Sequence, residues 1–408
     1  VKGRLGGSGK LGGLVAVVIL AFLPIPYDKM IEVRPDLVAT FFTLLGITFL
    51  IRGMRDIGDI RSKSKRWFWA SGIAYGIGLG VVPKTIFFIP PVILTFGFLW
   101  IYAKERSRII GKNFGLWMVG LSLPLFIILL VAISSGDFAR AFLLMTKVPS
   151  QASKALSEIY NHSFYMFPSH FFHPNQTFYG VGGIQNLQYV MNLLIWIIAS
   201  VWGVIRLVGF LREDQMQTQA RELLIGASFL SYYAGFTDIF PLKHAQYMIP
   251  LTPFIAMYFA DFLASLARLF QKRSSWIPIV GIIVFYIFII KATINMNSPK
   301  LSWTNNETFT KIANISQIVP AGSYVFDLSA ESMIYRDPYY ICCVPYGQYM
   351  EALTGLNVPD LPDTLKKTNT EYVISSRLGT LPPSDLKYIE ENYTYKLLGG
   401  LILSNKSN

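Results

Sequence analysis

Residues 32–66 read EVRPDLVATFFTLLGITFLIRGMRDIGDIRSKSKR, an apolar run that follows a short charged stretch and ends in a basic cluster. A helix needs roughly 17–25 mainly apolar residues to cross about 30 Å of hydrocarbon. The run at 36–51 approaches that length, and the arginines and lysines after it are typical of a cytoplasmic connection. The stretch therefore predicts a transmembrane helix of defined direction.

Apolar runs of similar length recur along the chain. The predicted spans are 11–26, 36–51, 67–82, 85–103, 114–133, 187–210, 222–240, 249–267 and 276–294. Basic residues precede the first span and crowd the connections after the second, fourth, sixth and eighth, as nine spans with a cytoplasmic N-terminus require. We expect a polytopic α-helical membrane protein. A count that fuses or drops one of the shorter runs would change part of the topology.

The composition excludes an ordinary soluble protein. Hydrophobic residues make up 52% of the 408-residue chain and charged residues only 15%, whereas soluble domains carry about 25% charged residues. The net charge of +12 does not indicate nucleic-acid binding, because the basic residues lie in short clusters between apolar runs. The adjacent Cys342 and Cys343 offer neither a disulfide framework nor a cysteine metal site.

The pattern changes after residue 295, where strand and helix signals alternate. Helices are predicted at 311–319, 362–367 and 383–392, and extended segments at 323–327, 339–344, 371–375 and 395–404. Such alternation over about 110 residues predicts a small α/β domain. We therefore expect a transmembrane domain at 1–294, with a long extracytoplasmic loop at 134–186, and a soluble extracytoplasmic domain at 295–408.

The informative polar residues gather on the predicted extracytoplasmic face. Glu32, Arg34 and Asp36 surround Pro35, which suits the first turn of a helix because its missing N–H costs nothing there. Charges at a membrane-embedded helix end are expensive unless they are paired or hydrated. These three residues are candidates for substrate binding. The simpler alternative is a charged helix start anchored at the lipid interface, with an Arg34–Asp36 ion pair.

Two further polar groups share that face. Lys84 lies at the extracytoplasmic end of two spans and could hold a phosphate as a point charge or serve as a snorkelling anchor. Lys243, His244 and Tyr247 stand at the start of the eighth span. Tyr247 alone would fit an interfacial aromatic belt, but the cluster carries more polar groups than a belt needs. We count all four as candidate substrate-binding residues.

His170 and His173 lie in the 134–186 loop at a spacing that lets two imidazoles share one helix face. No carboxylate accompanies them, so we do not assign them as metal ligands. A divalent metal ion is kept as a candidate cofactor without assigned ligands. The many aromatic residues nearby favour a loop that lies on the membrane surface or caps a cavity. Asp261, within the eighth span, is expected near its cytoplasmic end and in contact with solvent.

Three motifs follow one another on this framework. They are residues 32–40 (EVRPDLVAT), residues 69–80 (WASGIAYGIGLG) followed by Pro83 and Lys84, and residues 243–253 (KHAQYMIPLTP). The series resembles the polyprenyl-phosphate-sugar-dependent glycosyltransferases of the GT-C fold, and within them the bacterial dolichyl-phosphate-mannose–protein mannosyltransferase-like group. The C-terminal region also resembles the periplasmic cap that many of these enzymes carry.

The resemblance implies transfer of a sugar from a polyprenyl-phosphate-linked donor in the lipid bilayer to a hydroxyl of a protein, glycan or lipid acceptor. A phosphate leaving group needs cations more than a strong general acid, and Arg34, Lys84, Lys243 and His244 are candidates for that role. A carboxylate must accept the proton of the acceptor. In the family that carboxylate follows an earlier transmembrane helix, so we expect the catalytic residue in a segment upstream of Val1.

Two other functions remain open on the sequence alone. A secondary transporter would show inverted repeats and charged or broken helices near the membrane midplane. The charges here cluster at one rim, and no internal repeat is visible. A non-catalytic membrane scaffold is the second alternative, because the catalytic loop of the family has no counterpart before Glu32.

Overall fold

The computed structural model contains two compact units, which divide between Leu301 and Ser302. The described residues are 8–23, 35–55, 64–134, 136, 138, 142, 186–239, 245–271, 276–298, 301, 304–328, 331–332, 334–339, 360–397 and 400–404. Each unit has its own hydrophobic core.

The first unit consists of α-helices and short helical turns. Its α-helices are α1 (Ser8–Phe22), α2 (Pro35–Arg55), α3 (Ser64–Val81), α4 (Ile89–Tyr102), α5 (Ser107–Ser134), α6 (Asn186–Val208), α7 (Met216–Ala234), α8 (Thr252–Gln271) and α9 (Ile277–Asn297). A 3-10 turn precedes α4, the Pro83 segment (Pro83–Phe88), and another precedes α8, the Tyr247 segment (Ala245–Leu251). A π-helical turn, Gly235–Ile239, follows α7.

Each predicted span contains helical residues in the part of the chain that the structure describes. Within that part, five stretches are long and apolar enough to cross a membrane: Pro35–Arg55, Pro83–Tyr102, Lys104–Ser134, Leu193–Arg212 and Tyr247–Leu269. Shorter apolar helices occupy Gly12–Phe22 and Val280–Asn295. The predicted class, a polytopic helical membrane protein, agrees with these helices, and the number of nine spans stays a prediction.

Prolines interrupt two of the predicted helices. The sequence predicts a continuous span from residue 85, but the chain forms a 3-10 turn over Pro83–Phe88 before α4 begins with Pro90 and Pro91 in its first turn. Pro250 lies inside the Tyr247 segment, and α8 begins at Thr252 instead of residue 249. A proline has no amide hydrogen and clashes with the preceding turn, so it disfavours a regular α-helical ladder at its position.

Helices α3 and α5 pack closely through glycines. A Cβ atom on Gly72 would lie 2.1 Å from the carbonyl oxygen of Trp117, and one on Gly120 would lie 2.4 Å from the carbonyl oxygen of Trp69. Backbones can approach this closely only where no side chain intervenes, which is a common device between membrane helices. The contact fixes α3, and with it the start of the Pro83 segment that follows.

The second unit contains a four-stranded sheet in its described part. Its elements are α10 (Asn306–Ile318), β1 (Val325–Phe326), α11 (Leu361–Lys367), β2 (Tyr372–Ile374), α12 (Pro383–Asn392), β3 (Tyr393–Lys396) and β4 (Leu401–Ser404). The strand order is β1-β2-β4-β3, with β1 parallel to β2 and the other pairs antiparallel. The described part of this unit therefore combines helices with a small sheet, whereas the soluble extracytoplasmic domain at 295–408 stays a prediction.

Helices cover both faces of this sheet. Neighbouring residues of a strand point to opposite faces. Phe326 and Val373 therefore pack with α11 and α12, whereas Val325 and Ile374 pack with Ile315 of α10. The helices predicted at 311–319, 362–367 and 383–392 match α10, α11 and α12. The strand predicted at 339–344 lies outside the described residues except for its first position.

Candidate functional site

Three helical elements meet around the polar residues that the sequence singles out. Helix α2 begins at Pro35, as predicted, and packs against both the Pro83 segment and the Tyr247 segment. Asp36 lies in the first turn of α2, Lys84 is the second residue of the Pro83 segment, and Tyr247 is the third residue of the Tyr247 segment. The structure thus brings three of the predicted substrate-binding side chains together.

Lys84 and Tyr247 are in direct contact. The Nζ atom of Lys84 lies over the ring of Tyr247, 2.7 Å from the ring centroid. The face of an aromatic ring is negative, and its attraction for an ammonium group is worth about 0.5–2 kcal/mol, more when water is excluded. Both residues are half-buried. The ammonium is therefore held at a defined place while part of the side chain stays accessible.

Asp36 supplies the negative charge of this cluster. Its side chain is buried, with 6% of the residue exposed, and it interacts electrostatically with Lys84 and Tyr232. A carboxylate that has left water needs a counter-charge or hydrogen bonds, and Lys84 provides a cation within reach. The amide groups at the start of α2 add partial positive charge. The Arg34–Asp36 pair stays a prediction, since Arg34 is outside the described residues.

Tyr232 of α7 also belongs to the cluster, and sequence reasoning missed it. Its hydroxyl donates to the backbone carbonyl of Tyr247 at 3.0 Å, and its ring stacks on Phe88 with centroids 4.9 Å apart. It is completely buried. A tyrosine in an apolar helix is ordinarily core, so the sequence carries no signal that would separate this one from its neighbour Tyr233.

The remaining predicted site residues fall outside the described part of the chain. These are Glu32, Arg34, Lys243 and His244, and the same holds for His170 and His173. Their roles stay predictions. Among the described residues, no group of three or more histidine, cysteine, aspartate or glutamate side chains is placed to hold a metal ion. The divalent metal ion considered from the sequence likewise stays a prediction.

A second polar cluster surrounds Arg206 at the predicted cytoplasmic ends of the helices. Its guanidinium reaches three carboxylates: Nε lies 3.6 Å from Asp261, Nη2 3.3 Å from Glu222 and Nη1 3.8 Å from Glu213. Asp261 also accepts a hydrogen bond from the indole of Trp202 at 2.9 Å. Asp261 is half-buried, so the solvent contact predicted for it is only partial. The network ties α6, α7 and α8 together.

A cavity of about 870 Å³ adjoins this network. Its charged lining consists of Arg206, Arg221, Arg268, Glu213, Asp214, Glu222 and Asp261. Carboxylates outnumber arginines there, so the net charge of the lining disfavours a phosphate. The Arg206 guanidinium is already engaged by carboxylates. We therefore place the candidate phosphate site at Lys84 and treat the Arg206 network as a tie between helices.

The long apolar helices, with a charged cluster at one rim, define an integral membrane protein. Residues 8–132 match the model of the dolichyl-phosphate-mannose-protein mannosyltransferase family. This range includes Asp36, Lys84 and the first two of the three motifs, and within it the match confirms the family resemblance. It supports a glycosyltransferase activity of the mannosyltransferase kind. No curated protein matches the chain.

Proposed function

We propose that this protein transfers a sugar from a polyprenyl-phosphate donor to a hydroxyl acceptor on the extracytoplasmic face, and that Lys84 binds the phosphate of the donor. The observation that carries the proposal is the Lys84 ammonium, which lies over the Tyr247 ring and interacts electrostatically with Asp36 where two apolar helices end. The position lies within the region that matches the mannosyltransferase family. The name of that family makes mannose the sugar to test first.

The chemistry of such a donor suits a cation at the rim of a membrane domain. The polyprenyl tail needs an apolar path along the helices, whereas its phosphate must stay at a polar end. In the reaction the acceptor oxygen bonds to the sugar carbon and gives up its proton to a base. The bond from that carbon to the phosphate oxygen breaks, and the lipid phosphate leaves with the electron pair. A fixed ammonium stabilises the charge that develops on this leaving group. No strong general acid is required.

Asp36 and Tyr247 have different roles in this proposal. The Tyr247 ring limits where the Lys84 ammonium can lie, which prepares the cation for a phosphate. Asp36 balances the charge of Lys84 when no phosphate is bound, and it keeps a cation in a half-buried place from being isolated. We do not assign the catalytic base to Asp36, because the family resemblance aligns this helix with a region downstream of the catalytic loop.

Glu32, Arg34, Lys243 and His244 complete the proposed donor site. They flank the described cluster in sequence: Arg34 precedes α2 directly, and His244 precedes the Tyr247 segment. Basic groups there would add further contacts to the phosphate, as the resemblance implies. The acceptor hydroxyl belongs to a protein, a glycan or a lipid in this proposal, and transfer assays with each class, with and without a divalent metal ion, identify it.

The decisive experiment measures binding of a polyprenyl phosphate to the full chain in lipid nanodiscs. We expect Lys84→Met to weaken binding about 10- to 100-fold, because a hydrogen bond to a charged group contributes about 1.5–3 kcal/mol. Lys84→Arg should retain part of the affinity, since it keeps the charge but changes the geometry. Turnover of polyprenyl-phosphate mannose is then measured on the same samples.

Lys291 offers a matched control for this experiment. It is an exposed lysine in the C-terminal half of the apolar helix α9 and makes no ion pair with the described residues. Lys291→Met should leave the affinity unchanged. If Lys84→Met behaves like Lys291→Met, Lys84 is only a membrane anchor.

A further inference from the structure

Tyr232 occupies the point where all elements of the candidate site meet. It lies near the C-terminal end of α7, with none of its surface exposed. Its ring stacks on Phe88 of the Pro83 segment at an interplanar angle of 20°. Phe88 in turn stacks on Phe254 of α8, with centroids 6.0 Å apart. One side of Tyr232 is thus fixed to the segment that carries Lys84.

Tyr232 also interacts with the Tyr247 segment and with the start of α2. Its hydroxyl donates to the backbone carbonyl of Tyr247 at 3.0 Å, in the segment whose ring carries the Lys84 ammonium. Tyr232 also interacts electrostatically with Asp36 at the start of α2. The buried Tyr232 side chain therefore contacts the Pro83 segment and the Tyr247 segment, and it interacts electrostatically with Asp36 of α2.

The end of α7 is itself held firmly against the Pro83 segment. The hydroxyl of Ser231 donates to the backbone carbonyl of Phe87 at 2.6 Å. Gly235 leaves so little room that a Cβ atom there would lie 2.7 Å from the Phe87 ring. Tyr232 sits between these two contacts. Several groups therefore hold the Pro83 segment against α7. Tyr232 supplies a side-chain hydrogen bond from α7 to the Tyr247 segment.

We propose that Tyr232 is a positioning residue, which holds the Tyr247 segment so that its ring keeps the Lys84 ammonium in place for a phosphate. This rests on the proposed function in so far as Lys84 is the phosphate-binding cation. The hydroxyl of Tyr232 acts through the Tyr247 backbone and does not itself contact the donor. Loss of this hydroxyl lets the Tyr247 segment move, and the preferred position of the ammonium is lost with it.

The test compares Tyr232→Phe with Tyr75→Phe in the full chain. Tyr75 of α3 is also buried, with 1% of its surface exposed, and its hydroxyl has no hydrogen-bond partner among the described residues. Both substitutions remove one buried hydroxyl and keep the ring. Only the first removes a bond to the Tyr247 segment, so a general effect of the chemical change appears in both variants.

Two measurements are made on each variant. The first is amide hydrogen exchange of residues 245–251, which should be at least about fivefold faster in Tyr232→Phe than in the wild type, because local opening becomes easier. The second is the affinity for a polyprenyl phosphate, which should fall about fivefold to tenfold for the loss of a hydrogen bond of about 1–1.5 kcal/mol. Tyr75→Phe should leave both unchanged.

A double-mutant cycle separates positioning from general stability. In a Tyr247→Leu background, Tyr232→Phe should cause little further loss of affinity, because the ring through which it acts is already absent. Full additivity would overturn the proposal, and so would unchanged exchange at residues 245–251. If the wild type binds no polyprenyl phosphate, the proposed function fails, and the exchange measurement alone decides whether Tyr232 holds the Tyr247 segment.

Discussion

Replacing Gly120 with alanine should force α5 away from α3 and destabilise the first unit. Gly120 faces Gly72 where the two helices pack. An added Cβ atom would lie 2.4 Å from the carbonyl oxygen of Trp69 and 3.1 Å from the amide nitrogen of Ile73. Both are backbone atoms, so no side-chain rotation can relieve the contact, and the helices themselves must move.

The size of the effect follows from these distances. Non-bonded atoms have their optimal separation at about 3.5 Å, so a contact of this kind requires a displacement of about 1 Å. Over-packing of a well-packed interface costs about 1–3 kcal/mol. Alanine also favours the helix by about 1 kcal/mol over glycine, but a control at another helical glycine carries the same gain. The comparison between the two variants therefore isolates the cost of the clash.

Gly115 in the same helix is that control. It is exposed, and a Cβ atom there would meet no heavy atom within 4 Å. We expect the melting temperature of Gly120→Ala to lie below that of Gly115→Ala by up to about 10 °C, since 1 kcal/mol shifts it by about 2–4 °C in a domain of about 150–250 residues and by less in a larger one. Thermal unfolding of both variants in detergent measures the difference. Equal melting temperatures would refute the close α3–α5 contact.

Two further predictions concern the Arg206 network and the second unit. Arg206→Met removes the cation shared by Glu222 and Asp261, and we expect the free energy of unfolding to fall by about 1–3 kcal/mol, less where solvent screens the charges. The exposed Arg212→Met is the control. Equal melting temperatures of the two variants would show that the network does not contribute to stability. Burial raises the pKa of Tyr393, so the folded state favours the neutral phenol. The resulting contribution to stability is present below the unfolded pKa of about 10 and is lost as the pH rises above it. Tyr393→Phe should therefore lessen the fall in melting temperature between about pH 9 and 11; an unchanged fall would contradict the assignment.

The membrane helices could be predicted because the length of an apolar run is a strong local signal. The runs at 36–51 and 114–133 lie inside α2 and α5. The packing of those helices could not be predicted in the same way. The chain has 32 glycines, and the sequence does not distinguish Gly120, which touches the backbone of α3, from Gly115, which faces outward. Contacts between distant residues decide that difference.

The candidate site shows the same division. Asp36, Lys84 and Tyr247 could be proposed from the sequence because polar groups at the ends of apolar helices are costly and therefore informative. That Lys84 lies on the ring of Tyr247 could not, since the two residues are brought together by the packing of α2 and α7 against both segments. Tyr232 carries no sequence signal at all, because its role depends on which backbone carbonyl its hydroxyl meets.

Prolines connect these observations. Asp36 follows Pro35, Lys84 follows Pro83, and Tyr247 lies three residues before Pro250. A proline begins or interrupts a helix, so each site residue stands where the regular backbone ladder stops. At such points amide and carbonyl groups are left over, and polar side chains can turn toward one another instead of toward lipid. In an apolar helical domain, a charged site therefore forms most readily where several such interruptions are packed together, and α7 brings a hydroxyl to the place where these three meet.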